Sequence, residues 1–342
     1  MSNQQSNLRF GLWYAFRNPK TWKKPFHDLY EEVFQQISWA ESIGYDDVWL
    51  TEHHFCEDGH APSILPIAAA IAARTKKIRI GTAVLLLPLH NPVRVAEDGA
   101  TVDIISNGRF ELGVGVGYRP QEFPALGASR SERASRTNEG LEIIRRLWEG
   151  ETLSFSGTHY QFADIKLEPM PVQHRPPIWV GGFSPATVRR AAKLGDGYLG
   201  TADDGTLSNL YREELRNLGK DPHQGRLAGG HFWLIASHDP EKTWAELAPH
   251  VLYQMQVYNQ WLKESGQDLF PQLKDEQDLH KSNILQVVTP GEAIKIIEDY
   301  LQLCPLERYY SWTIPPGVSA ERMNPYLEIF ANEVIPHFKK TC

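Results

Sequence analysis

The residues best suited to chemistry stand together in the run Thr51-Glu52-His53-His54-Phe55-Cys56. Histidine has an ordinary pKa closest to neutrality, so it can serve as acid, base or hydrogen-bond donor. If Val48–Leu50 lead into this run as a strand, successive side chains alternate between faces. Val48, Leu50 and Glu52 then share one face, and Trp49, Thr51 and His53 share the other. The aliphatic face suits a helix layer, which turns His53 inward at the strand end. A structural histidine bonded to a backbone carbonyl is the competing reading. A metal centre would draw on Glu52, His53, His54, Glu57 and His60. Adjacent histidines diverge, however, and no partner ligand is evident at another strand end, so no metal is expected.

Two glycine-bearing stretches add a candidate ligand cradle. In Phe110–Tyr118, Leu112, Val114 and Val116 fall on one face, and Gly113, Gly115 and Gly117 on the other. A glycine face leaves room for a flat ligand to approach the backbone, or for tight packing at a bend. It is not a dinucleotide fingerprint, which sits in a turn before a helix. In Gly181-Gly182-Phe183-Ser184-Pro185-Ala186-Thr187, Ser184 is placed as a helix N-cap and Pro185 at the first helical position. Exposed N–H groups and the positive end of the helix dipole would favour an anion such as phosphate. An ordinary capped helix reads equally well. Arg130, Arg133 and Arg136 could add charge to that anion or simply decorate a solvated helix end.

The elements that must carry these residues alternate between strand and helix patterns. Strands are expected at Leu8–Phe16, Asp47–His54, Ile78–Leu87, Phe110–Gly117, Pro177–Gly181, Tyr198–Thr201, His231–Ala236 and Tyr309–Ile314. Helices are expected at Asp28–Ile43, Ser63–Arg74 with Ser63 as cap, Val93–Ser106, Ser131–Trp148, Pro185–Leu194, Leu207–Leu218, Glu241–Glu264 and Pro325–Lys339. Repeated β-then-α units with right-handed crossovers predict an α/β fold in which a parallel sheet closes into a (β/α)₈ TIM barrel, rather than an open doubly wound sheet. Sites in such barrels sit at the C-terminal ends of the strands, which is where the residues above fall. Residues 1–342 then form one barrel domain. Two stretches exceed the minimal barrel: 149–176, with a small hairpin around Gly157, and 266–288, polar and acidic. Each reads as a lid, a binding loop or a solvated insertion.

Composition narrows the class of partner. The chain has 342 residues, 35 Lys+Arg and 42 Asp+Glu, for a net charge of −7. An acidic balance argues against binding a nucleic-acid backbone. The longest apolar run, Ile64–Ala73, is interrupted by Pro66 and falls short of the ~20 residues that cross a bilayer. The N-terminus has no basic start and no apolar core, so no secretory signal is expected. Cys56, Cys304 and Cys342 are few and scattered, which fits a reducing cytoplasm and no disulfide framework.

An ordered series of motifs resembles the bacterial luciferase-like flavin monooxygenase family. It comprises Val48-Trp49-Leu50-Thr51-Glu52-His53-His54-Phe55, Gly81-Thr82-Ala83-Val84, Asn91-Pro92-Val93-Arg94-Val95-Ala96-Glu97-Asp98 and Ser106-Asn107-Gly108-Arg109-Phe110. Gly113-x-Gly-x-Gly-Tyr118, Pro177-Ile178-Trp179-Val180-Gly181-Gly182, Gly195-Asp196-Gly197 and Pro315-Pro316-Gly317 continue it. The series spans roughly residues 8–200 and 287–338.

The resemblance implies a luciferase-like barrel that takes reduced FMN, reacts it with O₂ to a C4a-peroxyflavin and oxidises a small, apolar substrate. It also implies a separate NAD(P)H:flavin reductase and a homodimer. One branch of the family instead uses the deazaflavin F420 for hydride transfer, and a non-catalytic flavin-binding subunit is a further alternative. A metal-dependent barrel hydrolase lacks a ligand set. By position, His53 corresponds to the acid/base histidine beside the flavin and Glu52 to a nearby polar contact. Ala83–Val84 corresponds to a non-proline cis peptide against the flavin ring. Gly115, Gly182, Phe183, Ser184 and Thr187 would line the cofactor, and Arg133 would reach its phosphate. Two departures stand out. Gly115-Val116 replaces a Cys-Arg pair whose arginine helps hold phosphate, and Ala202 stands near the place of an aromatic residue of the aldehyde pocket. Light emission is therefore not expected.

Overall fold

The structure is a computed structural model and describes residues 8–339; Cys342 lies outside them. The chain opens with β1 (Arg9–Tyr14), α1 (Phe26–Ser42), β2 (Asp47–Leu50), α2 (Ile64–Arg74) and β3 (Arg79–Thr82). After a short β4 (Leu85–Leu86) come α3 (Pro92–Ser106), β5 (Phe110–Gly115), the single turn α4 (Glu122–Ala125) and α5 (Arg133–Trp148). The hairpin β6 (Leu153–Ser156) and β7 (Gln161–Ile165) precedes β8 (Ile178–Gly181), α6 (Pro185–Leu194), β9 (Gly197–Thr201) and α7 (Thr206–Asn217). Then follow β10 (Arg226–Gly230), β11 (Trp233–Ala236), α8 (Pro240–Glu264), α9 (Glu276–Ser282), β12 (Leu285–Val288) and α10 (Pro290–Leu303). The chain closes with β13 (Arg308–Trp312), α11 (Ala320–Ile329) and α12 (Ile335–Phe338).

The sheet runs β3-β2-β1-β13-β10-β9-β8-β5, and β3 pairs with β5 to close it; all the pairings are parallel. This is the expected (β/α)₈ barrel. Its outer layer forms because helices such as α1 are amphipathic: α1 buries Leu29, Val33, Phe34, Ile37 and Ala40 on one stripe. Between strands and helices lies a continuous aliphatic core that includes Val48, Leu50, Ile80, Leu112 and Val180. The barrel interior is aromatic instead, with Trp13, Trp49, Trp179, Trp233, Tyr310 and Trp312 packed together.

Three expectations about elements need correction. The seventh barrel strand is β10, not His231–Ala236. The chain bends at Gly230, whose φ of 149° favours glycine, and β11 then pairs outside the barrel with β12. Helix α10 went unanticipated, although Thr289 and Glu292 form a capping box with Pro290 at the first turn. The closing helical segment starts earlier than expected: Ser319 caps α11, and Pro325 lies inside it. Ser63 does precede α2, but its side chain makes no capping bond.

Candidate active site

A cavity of about 490 Å³ opens at the C-terminal end of the barrel. It is lined by Thr51, Glu52, His53, Ala83, Val84, Gly115, Arg133, Gly182, Phe183, Ser184 and Thr187, among others. The residues that the resemblance assigns to catalysis or cofactor binding therefore border one space, whereas Gly113, Arg130 and Arg136 do not line it.

His53 lies just beyond β2 and is nearly buried. Its Nδ1 is 3.0 Å from the Glu122 carboxylate, and the Tyr118 hydroxyl stands 3.5 Å from its Nε2. Trp261 of α8 packs against the ring at a centroid distance of 4.9 Å. Burial lowers the His53 pKa from its usual value, and Glu122 only partly offsets this. The ring is thus neutral at neutral pH. Glu122 and Tyr118 were not among the expected site residues. Nothing in their local spacing marks them, because the turn after β5 is what folds them back onto His53.

Glu52 points away from the barrel axis. One oxygen meets His54 Nε2 and His90 Nε2, each at 2.7 Å, and the other accepts the Leu86 N–H at 2.6 Å. His90 supplies the partner at another strand end that the sequence did not reveal. The three side chains are joined directly by hydrogen bonds. Burial opposes ionisation of Glu52, but the two histidines hold its pKa down to about 2. The cluster works as a clasp between the end of β2 and the segment that follows β3.

That segment forms the cavity floor. The Ala83–Val84 peptide is cis, as the resemblance implies, and the Trp13 indole donates to the Ala83 carbonyl at 3.1 Å. The glycine face of β5 is filled differently from the expected flat ligand. Thr82 Oγ1 accepts from Gly113 N at 2.8 Å and donates to Gly113 O at 2.7 Å. A Cβ on Gly113 would lie 1.9 Å from the Thr82 carbonyl oxygen. Cβ atoms on Gly115 and Gly181 would meet Val84 methyls at 2.5 and 2.7 Å. These glycines accommodate the segment itself, and the segment presents Val84 to the cavity.

The far end of the cavity is cationic. Ser184 caps α6 through the Thr187 N–H, and the dipole of that helix places positive potential at its start. Arg133 faces the same end. Its guanidinium donates to the Arg130 carbonyl. Among the described residues no carboxylate pairs with Arg130, Arg133 or Arg190. Burial and repulsion from Arg133 lower the Arg190 pKa, as an uncompensated cationic cluster would. A cofactor phosphate fits this donor set. Arg136 turns elsewhere, to the Pro88 carbonyl.

The opposite wall is apolar. Phe232, Met255, Tyr258, Leu262 and Trp312 line it, and Gln267, Asp268, Leu269 and Phe270 close over it. The 266–288 stretch therefore reaches the mouth. The 149–176 stretch does not: its hairpin turn is held on α5 by Glu139, which accepts from Thr158 N and His159 N.

The sequence profile of luciferase-like monooxygenases matches residues 8–302. This chain belongs to that family. Among curated relatives of this luciferase-like protein, an F420-dependent glucose-6-phosphate dehydrogenase of Amycolatopsis mediterranei is 36% identical over 183 residues, covering 52% of this chain and 54% of that one. The chain thus spans only about half the length of that relative. The oxygenase component of a flavin-dependent trigonelline monooxygenase from Acinetobacter baylyi is 27% identical over 337 residues, covering 92% of this chain and 91% of its own. The crystal structure of the monooxygenase RslO1 from Streptomyces bottropensis superposes with a TM-score of 0.83 at 25% identity, over 97% of this chain and all of that one. The two curated relatives are oxidoreductases, one dependent on F420 and the other on a flavin. No helix among the described residues is long and apolar enough to cross a membrane.

Proposed function

We propose that this chain is the oxygenase of a two-component, FMN-dependent monooxygenase that acts on a small organic substrate of apolar character. The observation that carries the reading is the division of one cavity into a cationic end and an apolar end. Arg133, Ser184, Thr187 and Gly182 would hold the FMN phosphate. Val84 and the Ala83 carbonyl segment would support the ring system, and His53 would hold or move a proton at Nε2. Reduced FMN, delivered by a separate NAD(P)H:flavin reductase, would supply the electrons that let O₂ give one oxygen atom to the substrate. The aromatic wall and the 267–270 segment would exclude water while it does so. The near full-length likeness to an oxygenase component supports this reading.

F420-dependent hydride transfer is the second reading, favoured by the 36% identity to F420-dependent relatives over half the chain. A phosphosugar substrate would need a second cationic site, yet among the described residues Arg133 is the one arginine or lysine lining the cavity. Anaerobic titration with reduced FMN and with reduced F420 separates the two. Tight FMN binding, followed by substrate-dependent O₂ uptake with aldehydes, ketones, alkanes or heteroaromatics, is expected. F420 binding without FMN binding would overturn the proposal. Light scattering of the purified protein should give the mass of a homodimer.

A further inference from the structure

We infer that Glu122 is the positioning residue that sets the tautomer and basicity of His53, an inference that rests on reading His53 as the proton-handling group of the cavity. Glu122 is fully buried on α4. A single oxygen accepts three donors: His53 Nδ1 at 3.0 Å, the His54 N–H at 2.9 Å and Arg119 at 3.1 Å. Its other oxygen is buried without a partner. Burial alone would raise the Glu122 pKa, but these donors outweigh it and keep the group a carboxylate.

A carboxylate can only accept, so the proton of neutral His53 sits on Nδ1. Nε2 then presents its lone pair to the Tyr118 hydroxyl at 3.5 Å and to the cavity. When Nε2 takes a proton, the imidazolium forms beside a fixed negative charge. None of the other groups facing the ring favours it. Arg119 and Arg17 are cations, with Arg17 neutralised by Asp58 at 3.2 Å. His60 stacks edge-on at 5.1 Å and is itself kept neutral by burial, while Tyr258 packs at 6.1 Å from α8. Glu122 is the sole carboxylate in contact with His53 among the described residues. Without it the site would be a neutral imidazole among cations, with its tautomer unspecified.

The test compares Glu122→Gln and Glu122→Asp with the wild type. The ligand-free proteins are followed by NMR titration of the His53 ring, and the flavin-loaded enzymes by turnover. Glu122→Gln keeps an acceptor for His54 and Arg119 but removes the charge. The His53 midpoint should fall by about 1–3 pH units. Turnover should fall by about 10²-fold with little change in the KM for flavin, and the pH–rate profile should shift in the same direction as the midpoint. Glu122→Asp, which keeps the charge on a shorter arm, should recover part of both losses. An unchanged His53 midpoint in a folded Glu122→Gln protein overturns the inference, as does a loss of thermal stability with kcat and pH profile unmoved. If Glu122→Gln does not fold, the Glu122→Asp titration decides: a lowered midpoint supports the pairing, and an unmoved one overturns it. A shifted midpoint in a protein that never turns over with FMN leaves the pairing standing and removes only the monooxygenase reading.

Discussion

At the residue scale, the two ends of the cavity make separable predictions. On the proposed reading, His53→Ala removes the proton-handling group but no phosphate contact. Coupled oxidation should collapse while FMN affinity stays within about tenfold, ~1.4 kcal/mol. Arg133→Ala should do the reverse: FMN binding should weaken by about 10- to 100-fold, the range for a lost hydrogen bond to a charged group. Riboflavin, which lacks the phosphate, should bind both proteins alike; equal losses for the two ligands in a calorimetric titration would place the phosphate elsewhere. The clasp predicts a pH signature. Burial opposes charging of His90, but the Glu52 carboxylate overrides this and raises its pKa. A histidine whose pKa rises on folding stabilises the protein while protonated. The contribution is therefore complete below the unfolded pKa of about 6.5 and is lost as pH climbs through the folded value. The Tm gap between wild type and His90→Ala should be widest near pH 6 and close toward pH 9. His53 and Glu52 could be read in the sequence from a histidine-rich strand end. Glu122, Tyr118 and His90 could not, because contact with them depends on how two loops fold.

At the scale of elements, the β5 glycines and Val84 form a packed unit, and a substitution cycle tests it. Gly115→Ala places a methyl 2.5 Å from a Val84 methyl and should cost about 1–3 kcal/mol by overpacking. Val84→Ala opens the space, so the double variant should recover most of that loss in chemical denaturation. Strictly additive losses would show that the two side chains do not share the space. Elements with strong periodicity or clear caps were legible. Helix α6 runs from Pro185 to Leu194 as expected, with Ser184 as its cap. The error at strand seven has a physical cause: Trp233–Ala236 is a genuine strand, more apolar than Arg226–Gly230, but it pairs with β12 instead of the barrel. Apolar alternation reports that a strand exists and says nothing of its partner.

At the scale of the molecule, a buried charge cluster ties together strands from around the barrel. Arg308 of β13 pairs with Asp47 of β2, and with Glu111 of β5 at 2.7 Å. Arg79 of β3 also pairs with Glu111, and the Trp179 indole of β8 donates to it at 2.7 Å. Arg308→Met would leave Asp47 without its cation and Glu111 with Arg79 alone, and should cost about 3–5 kcal/mol in global stability, read as a fall in denaturation midpoint; a change under about 1 kcal/mol would mean the cluster bears little of the fold. The barrel itself was legible because eight βα units leave few topologies open. The interior charges were not, since sequence alone does not say which strands face one another across an axis. The 267–270 segment has a different consequence. It borders the cavity yet belongs to no barrel strand and touches neither the charge cluster nor the clasp. On the proposed reading, substitutions there would alter which compound fits the apolar end while leaving the residues around His53 and Arg133 in place.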